Sequence, residues 1–73
     1  MSPKLKNLTS AYVLKFLLGQ GFEVSHRKGS HVQLKNGELR VTVPDHGHKA
    51  LNIRTVMSIL RQSQVDRDDF LKG

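Results

Sequence analysis

Cysteine is absent from this chain. No disulfide can staple the fold, and no cysteine-rich zinc finger can form. Stability has to come from packing or from a partner. Nothing points to an oxidising compartment, so the cytoplasm is the expected location. No apolar run approaches the ~20 residues that span a bilayer, so no membrane partner is expected. The opening Met1-Ser2-Pro3-Lys4-Leu5-Lys6 lacks the apolar stretch of a signal peptide. Repeats and low-complexity segments are missing. So is a G-x-S-x-G turn for a nucleophilic serine, and so is a G-x-G-x-x-G or P-loop for a nucleotide phosphate.

Acidic residues are scarce. Asp and Glu number 6 against 12 Lys and Arg, a formal charge of +6 and a pI near 10.2. Such an excess draws polyanions, and a pI above ~9 is a nucleic-acid footprint. RNA, DNA and acidic proteins all qualify; plain solubility is the competing explanation. At 73 residues one domain, residues 1–73, is expected, burying roughly 60% of its unfolded surface. That leaves little room for a deep pocket, and no cofactor is expected.

Thr9 is a natural helix N-cap. Leu8, Tyr12 and Phe16 recur at spacing four with Val13 and Leu17 beside them, which predicts a helix to about Gln20 that Gly21 ends. Phe22 to Arg27 alternates, with Phe22, Val24 and His26 on one side. Lys28-Gly29 reads as a turn. Ser30 to Lys35 alternates again, and Asn36-Gly37 is a two-residue hairpin signal. Leu39, Val41 and Val43 form the apolar side of a third strand that Pro44 ends. A polar loop, Asp45 to Asn52, precedes a second amphipathic helix carrying Ile53, Val56, Met57 and Leu60, with Met57 in the core. Asn52 can cap that helix, and Asp66 a last short turn from which Phe70 and Leu71 pack back.

The order is α-β-β-β-α. It predicts an α+β two-layer sandwich: an antiparallel three-stranded sheet with helices on one face, the plan of double-stranded RNA-binding domains. Parity then assigns sides. Val32 and Leu34 face the helices, so His31, Gln33, Lys35, Arg40 and Thr42 face the other way.

His31 follows Gly29-Ser30 directly. Glycine permits close backbone approach, Ser30 offers a hydroxyl and an amide, and imidazole both takes and gives protons near neutrality. RNA cleavage needs a base for the 2′-hydroxyl, an acid for the leaving 5′-oxygen and cations for the phosphate. An idle surface histidine is the alternative. Arg27, Lys28, Lys49 and Arg54 are candidate phosphate contacts, with the amides at the start of the second helix beside Arg54. Asp45, His46 and His48 suggest a chelate, but zinc sites want three or four ligands at defined spacing, and no metal is expected.

Gly21-Phe22, Gly29-Ser30-His31, Val41-Thr42-Val43-Pro44 with His46, and Thr55 with Ser58-Ile59-Leu60-Arg61-Gln62 together resemble the HicA-like toxins, the small mRNA interferases of toxin–antitoxin pairs. The likeness runs over about residues 8–71. It implies a double-stranded RNA-binding-domain-like fold and an endoribonuclease that cuts mRNA independently of the ribosome and arrests translation; the proton transfers and cations that cleavage needs require no metal. It also implies a HicB-like antitoxin that masks the site, with the toxin a monomer alone or a hetero-oligomer with that partner. The family's catalytic histidine falls on His31. Lys28, Gly29, Ser30, Lys49 and Arg54 are expected as RNA contacts from their own charge, the glycine turn and the helix start. Two positions depart from the pattern: His26 stands where many relatives have arginine, and Arg54 where many have glycine. A non-catalytic nucleic-acid-binding module uses the same basic surface, and so does an interaction protein with an acidic partner.

Overall fold

The computed structural model describes residues 8–47 and 49–72, the last two by backbone alone. Thr9 starts the first helix, α1 (Ser10–Gly19), by accepting the Tyr12 amide on its hydroxyl at 3.1 Å. The helix closes on Gln20. The Phe22 amide returns to the Leu17 carbonyl at 3.1 Å and the Gly21 amide to Leu18 at 3.3 Å, the paired bonds of a Schellman end. Phe22 and Leu17 are both buried, which supplies the apolar contact of that motif.

Three strands follow: β1 (Glu23–Lys28), β2 (His31–Asn36) and β3 (Leu39–Pro44), antiparallel in the order β1-β2-β3. Both connections are two-residue loops. Lys28 pairs with His31 and Asn36 with Leu39, which leaves Gly29-Ser30 and Gly37-Glu38 as the turns. Each turn therefore sits one residue later than the sequence reading put it. Only the first residue of each has positive φ, +59° at Gly29 and +61° at Gly37. That is the requirement of a II′ turn, which wants glycine at its first central position and none at its second. Asn36 stays in the ladder.

Strands β2 and β3 alternate as expected: Val32, Leu34, Val41 and Val43 are buried and their neighbours are not. Strand β1 does not. All six of its residues are exposed, and Val24 keeps 52% of its surface. It lies at the edge, whereas α2 (Ile53–Ser63) packs on β3 at the opposite edge. The ladder also slips between Val24, opposite Leu34, and His26, opposite Gln33. Ser25 is the extra residue of a β-bulge. Directly paired residues share a side, so Val24 keeps the helix side, as Leu34 does. His26 lies on the open side with Gln33. The expected grouping of Phe22, Val24 and His26 on one side is thus corrected by one inserted residue.

Asn52 caps α2 by accepting the Arg54 amide at 2.8 Å. The helix turns Val56, Ile59 and Ser63 inward. Met57, expected in the core, is 49% exposed, and Ile53 lies outside with it. The reason is Ser63, whose hydroxyl donates to the Leu60 carbonyl at 3.3 Å and so enters the core with its polar group satisfied. The inward stripe runs 56–59–63, and an apolar pattern does not register the serine. Asp66 starts α3 (Arg67–Lys72) by accepting the Asp68 and Asp69 amides. Phe70 is fully buried, edge-on to Tyr12 and Phe16 with ring centres 5.8 and 5.0 Å away. The Tyr12 hydroxyl donates to the Phe70 carbonyl at 2.5 Å. The expected packing of the Leu71 side chain lies outside the described residues.

Candidate functional site

The Gly29-Ser30 turn hangs off one end of the sheet. The end of β3 and the start of α1 meet there, because His31 pairs with Pro44 and Ser10 bonds to Pro44. An added Cβ at Gly29 meets nothing within 4 Å. The turn is therefore open to a ligand, and backbone conformation alone calls for glycine. The Asp45 amide donates to the Ser30 carbonyl at 2.5 Å, tying the turn to the loop after β3.

That loop is held by a residue the sequence did not mark. Ser10 is fully buried. Its hydroxyl donates to the Pro44 carbonyl at 2.7 Å and accepts the His46 amide at 2.9 Å. A serine at a helix start reads as a cap or a surface residue, and only the approach of the loop reveals its second role. The far end of the loop is fastened too, as Ala50 bridges Thr9 and the Leu51 amide reaches the Leu8 carbonyl at 2.6 Å. Asp45 binds the Arg27 guanidinium at 2.7 Å and accepts the Gly47 amide at 3.1 Å. The guanidinium, with that amide, holds the Asp45 carboxyl below the usual carboxylate range. Arg27 sits opposite Val32, on the helix side. It fastens the site instead of standing free as a phosphate contact.

The open face has two unlike ends. At the Asn36 end, Glu23 meets Lys35 at 3.6 Å, and Arg40 folds back onto the Gly37 and Leu39 carbonyls at 2.8 and 3.1 Å. At the turn end lie His26 and Gln33, then Lys28 and His31, in facing pairs. All four are exposed, and their side chains have no hydrogen-bond or ion-pair partner among the described residues. A cationic amine and two imidazoles are thus presented to solvent at an exposed sheet end, a surface suited to an extended anionic polymer and not to an enclosed small molecule.

The expected contacts divide accordingly. Lys28, Gly29, Ser30 and His31 form one continuous patch. Lys49 lies in the anchored loop, its amide on the His46 carbonyl at 3.3 Å. Arg54 lies in the first turn of α2; Asn52 takes its amide, and its exposed side chain has no partner among the described residues. The chelate with His48 lies outside the described residues, and among those described no three His, Asp or Glu side chains group as metal ligands.

The chain is thus a small α+β domain, α-β-β-β-α, with an open, histidine-bearing sheet end. The family model described as the HicA toxin of bacterial toxin–antitoxin matches residues 11–65, well over half of the chain. The chain belongs to the HicA toxin family, and its role is that of the toxin in a toxin–antitoxin pair. A comparison with curated proteins gave no match. No helix among the described residues is long and apolar enough to cross a membrane.

Proposed function

We propose that this toxin is a metal-independent endoribonuclease that cuts mRNA in the cytoplasm and is silenced by a HicB-like antitoxin covering the cut site. The observation that carries this reading is His31, exposed and facing Lys28 at an open glycine turn that Ser10 and Asp45 hold in place. His31 moves a proton at the 2′-hydroxyl or the leaving 5′-oxygen. Lys28 neutralises the phosphate, and the Gly29-Ser30 backbone lets the strand approach. Lys49 and Arg54 extend the cationic track outward. Such contacts weaken steeply as salt rises.

Purified protein incubated with mRNA in EDTA tests the reading. The wild type shortens the RNA, and His31→Ala stops cleavage and growth arrest without altering the fold. His31→Ala cutting at the wild-type rate would refute the assignment. RNA that is retarded but left intact by the wild type would identify a binding module instead.

A further inference from the structure

We infer that His26 is the second proton-transfer residue of this site, working across the β1–β2 ladder from His31. The inference rests on the endoribonuclease reading above. Cleavage through the 2′-hydroxyl takes two proton transfers on opposite sides of one phosphorus. A base removes the 2′-hydroxyl proton as the 2′-oxygen bonds to phosphorus. The bond from phosphorus to the 5′-oxygen breaks, and an acid delivers a proton to that oxygen. The products are a 2′,3′-cyclic phosphate and a 5′-hydroxyl, with no other reactant. Attack and departure are in line, so one imidazole cannot stand at both oxygens in a single step.

The Ser25 bulge supplies the second ring. It sets His26 opposite Gln33 and Lys28 opposite His31, all on the open side. His26 and His31 are then diagonal neighbours, about 7–8 Å apart in a regular ladder. That leaves room for one phosphate between two rings, each within the roughly 3 Å that proton transfer requires. Lys28 lies beside both. The other open-face groups are committed or unsuited: Glu23 and Lys35 pair with each other, Arg40 is bonded to its own turn, and Gln33 and Thr42 do not titrate. His46 is the competitor. It lies beyond the ladder on a loop whose amide is bound by Ser10 of α1, on the helix side of the sheet.

The test uses an RNA oligonucleotide whose cut bond has been mapped with the wild type, and a copy with sulfur in place of the 5′-oxygen at that bond. The thiolate leaves without a proton donor. On the oxygen substrate, His26→Ala and His31→Ala each fall by ~10²–10⁴-fold. The sulfur copy restores one of the two variants, the one lacking the acid. His26→Arg supplies a permanent positive charge but cannot release a proton near neutrality, and it stays slow. Both histidine side chains are exposed, and thermal melts matching the wild type establish that the variants fold. Wild-type cleavage by His26→Ala or His26→Arg overturns the inference, as does sulfur rescue of both alanine variants or of neither. Loss in His46→Ala with His26→Ala intact moves the role to His46. If the wild type cuts no RNA, the endoribonuclease reading falls and this inference with it. If only His31→Ala is dead, that reading stands and His26 alone is removed.

Discussion

Strand β1 and the two strands of the β2–β3 hairpin are each six residues long and obey different rules. In the hairpin Val32, Leu34, Val41 and Val43 are buried in alternation with their neighbours, so a one-residue slip would turn them into water. Its register is fixed by the core. Strand β1 lies at the edge away from α2, and all six residues are exposed. No core penalises a bulge there. The uncovered edge can therefore accept Ser25 as an extra residue and re-aim His26, and the covered hairpin cannot. Structure is specified where burial is, and the exposed surface proposed as the site is free to depart from the alternation.

The sharpest way to break this contrast is to truncate one apolar residue on each strand. Leu34 and Val24 face each other on the same side. Leu34 is fully buried and Val24 half exposed. Leu34→Ala should cost about 2–5 kcal/mol and Val24→Ala within about 0.5 kcal/mol, read by urea denaturation. Equal losses would mean that β1 is covered after all. Next in size is Ser10→Ala, which leaves the Pro44 carbonyl and the His46 amide without their partner. A loss of about 1–3 kcal/mol is expected, with faster hydrogen exchange at His46 and slower RNA cleavage. Unchanged exchange at His46 would show that the loop does not depend on Ser10.

Deleting Ser25 is a gentler test. It removes the inserted residue yet keeps Val24 opposite Leu34 and His26 opposite Gln33. Stability should change by no more than about 1 kcal/mol, and cleavage should persist. A register shift seen in cross-strand NMR contacts would contradict the bulge. The smallest effect is on pH. The Asp45 carboxyl titrates below its ordinary value because Arg27 and the Gly47 amide favour the charged form. Whatever the pair contributes is present above the unfolded value near 4 and is lost as pH falls through the lower folded value. The Arg27 side chain and the Gly47 amide should shift together in that acid window by NMR. An Asp45→Asn variant should show no such shift.

Much of this was legible in residue order. Thr9, Asn52 and Asp66 cap the three helices because each carries an oxygen two or three residues ahead of a free amide. Gly29 and Gly37 mark the turns, though the turn type moved each by one residue. Met57 fits the apolar period, yet the buried Ser63 carries the inward stripe past it and leaves it outside. The patch itself was readable at Gly29-Ser30-His31 and Lys28. The Ser10 clamp, the engagement of Arg27 by Asp45 and the face of His26 were not, since each depends on a contact between segments remote in sequence or on a single inserted residue.

The sequence by itself determined the element order, the helix caps, the hairpin positions, the basic charge and the parity of β2 and β3. All of these follow from neighbours a few residues apart or from alternation against a core. Tertiary structure alone decided which cations stay free and how the loop after Pro44 is held. It also decided which way β1 points its histidine. Those outcomes hang on where water is excluded, and an edge strand without a covering layer carries no such instruction in its own residues.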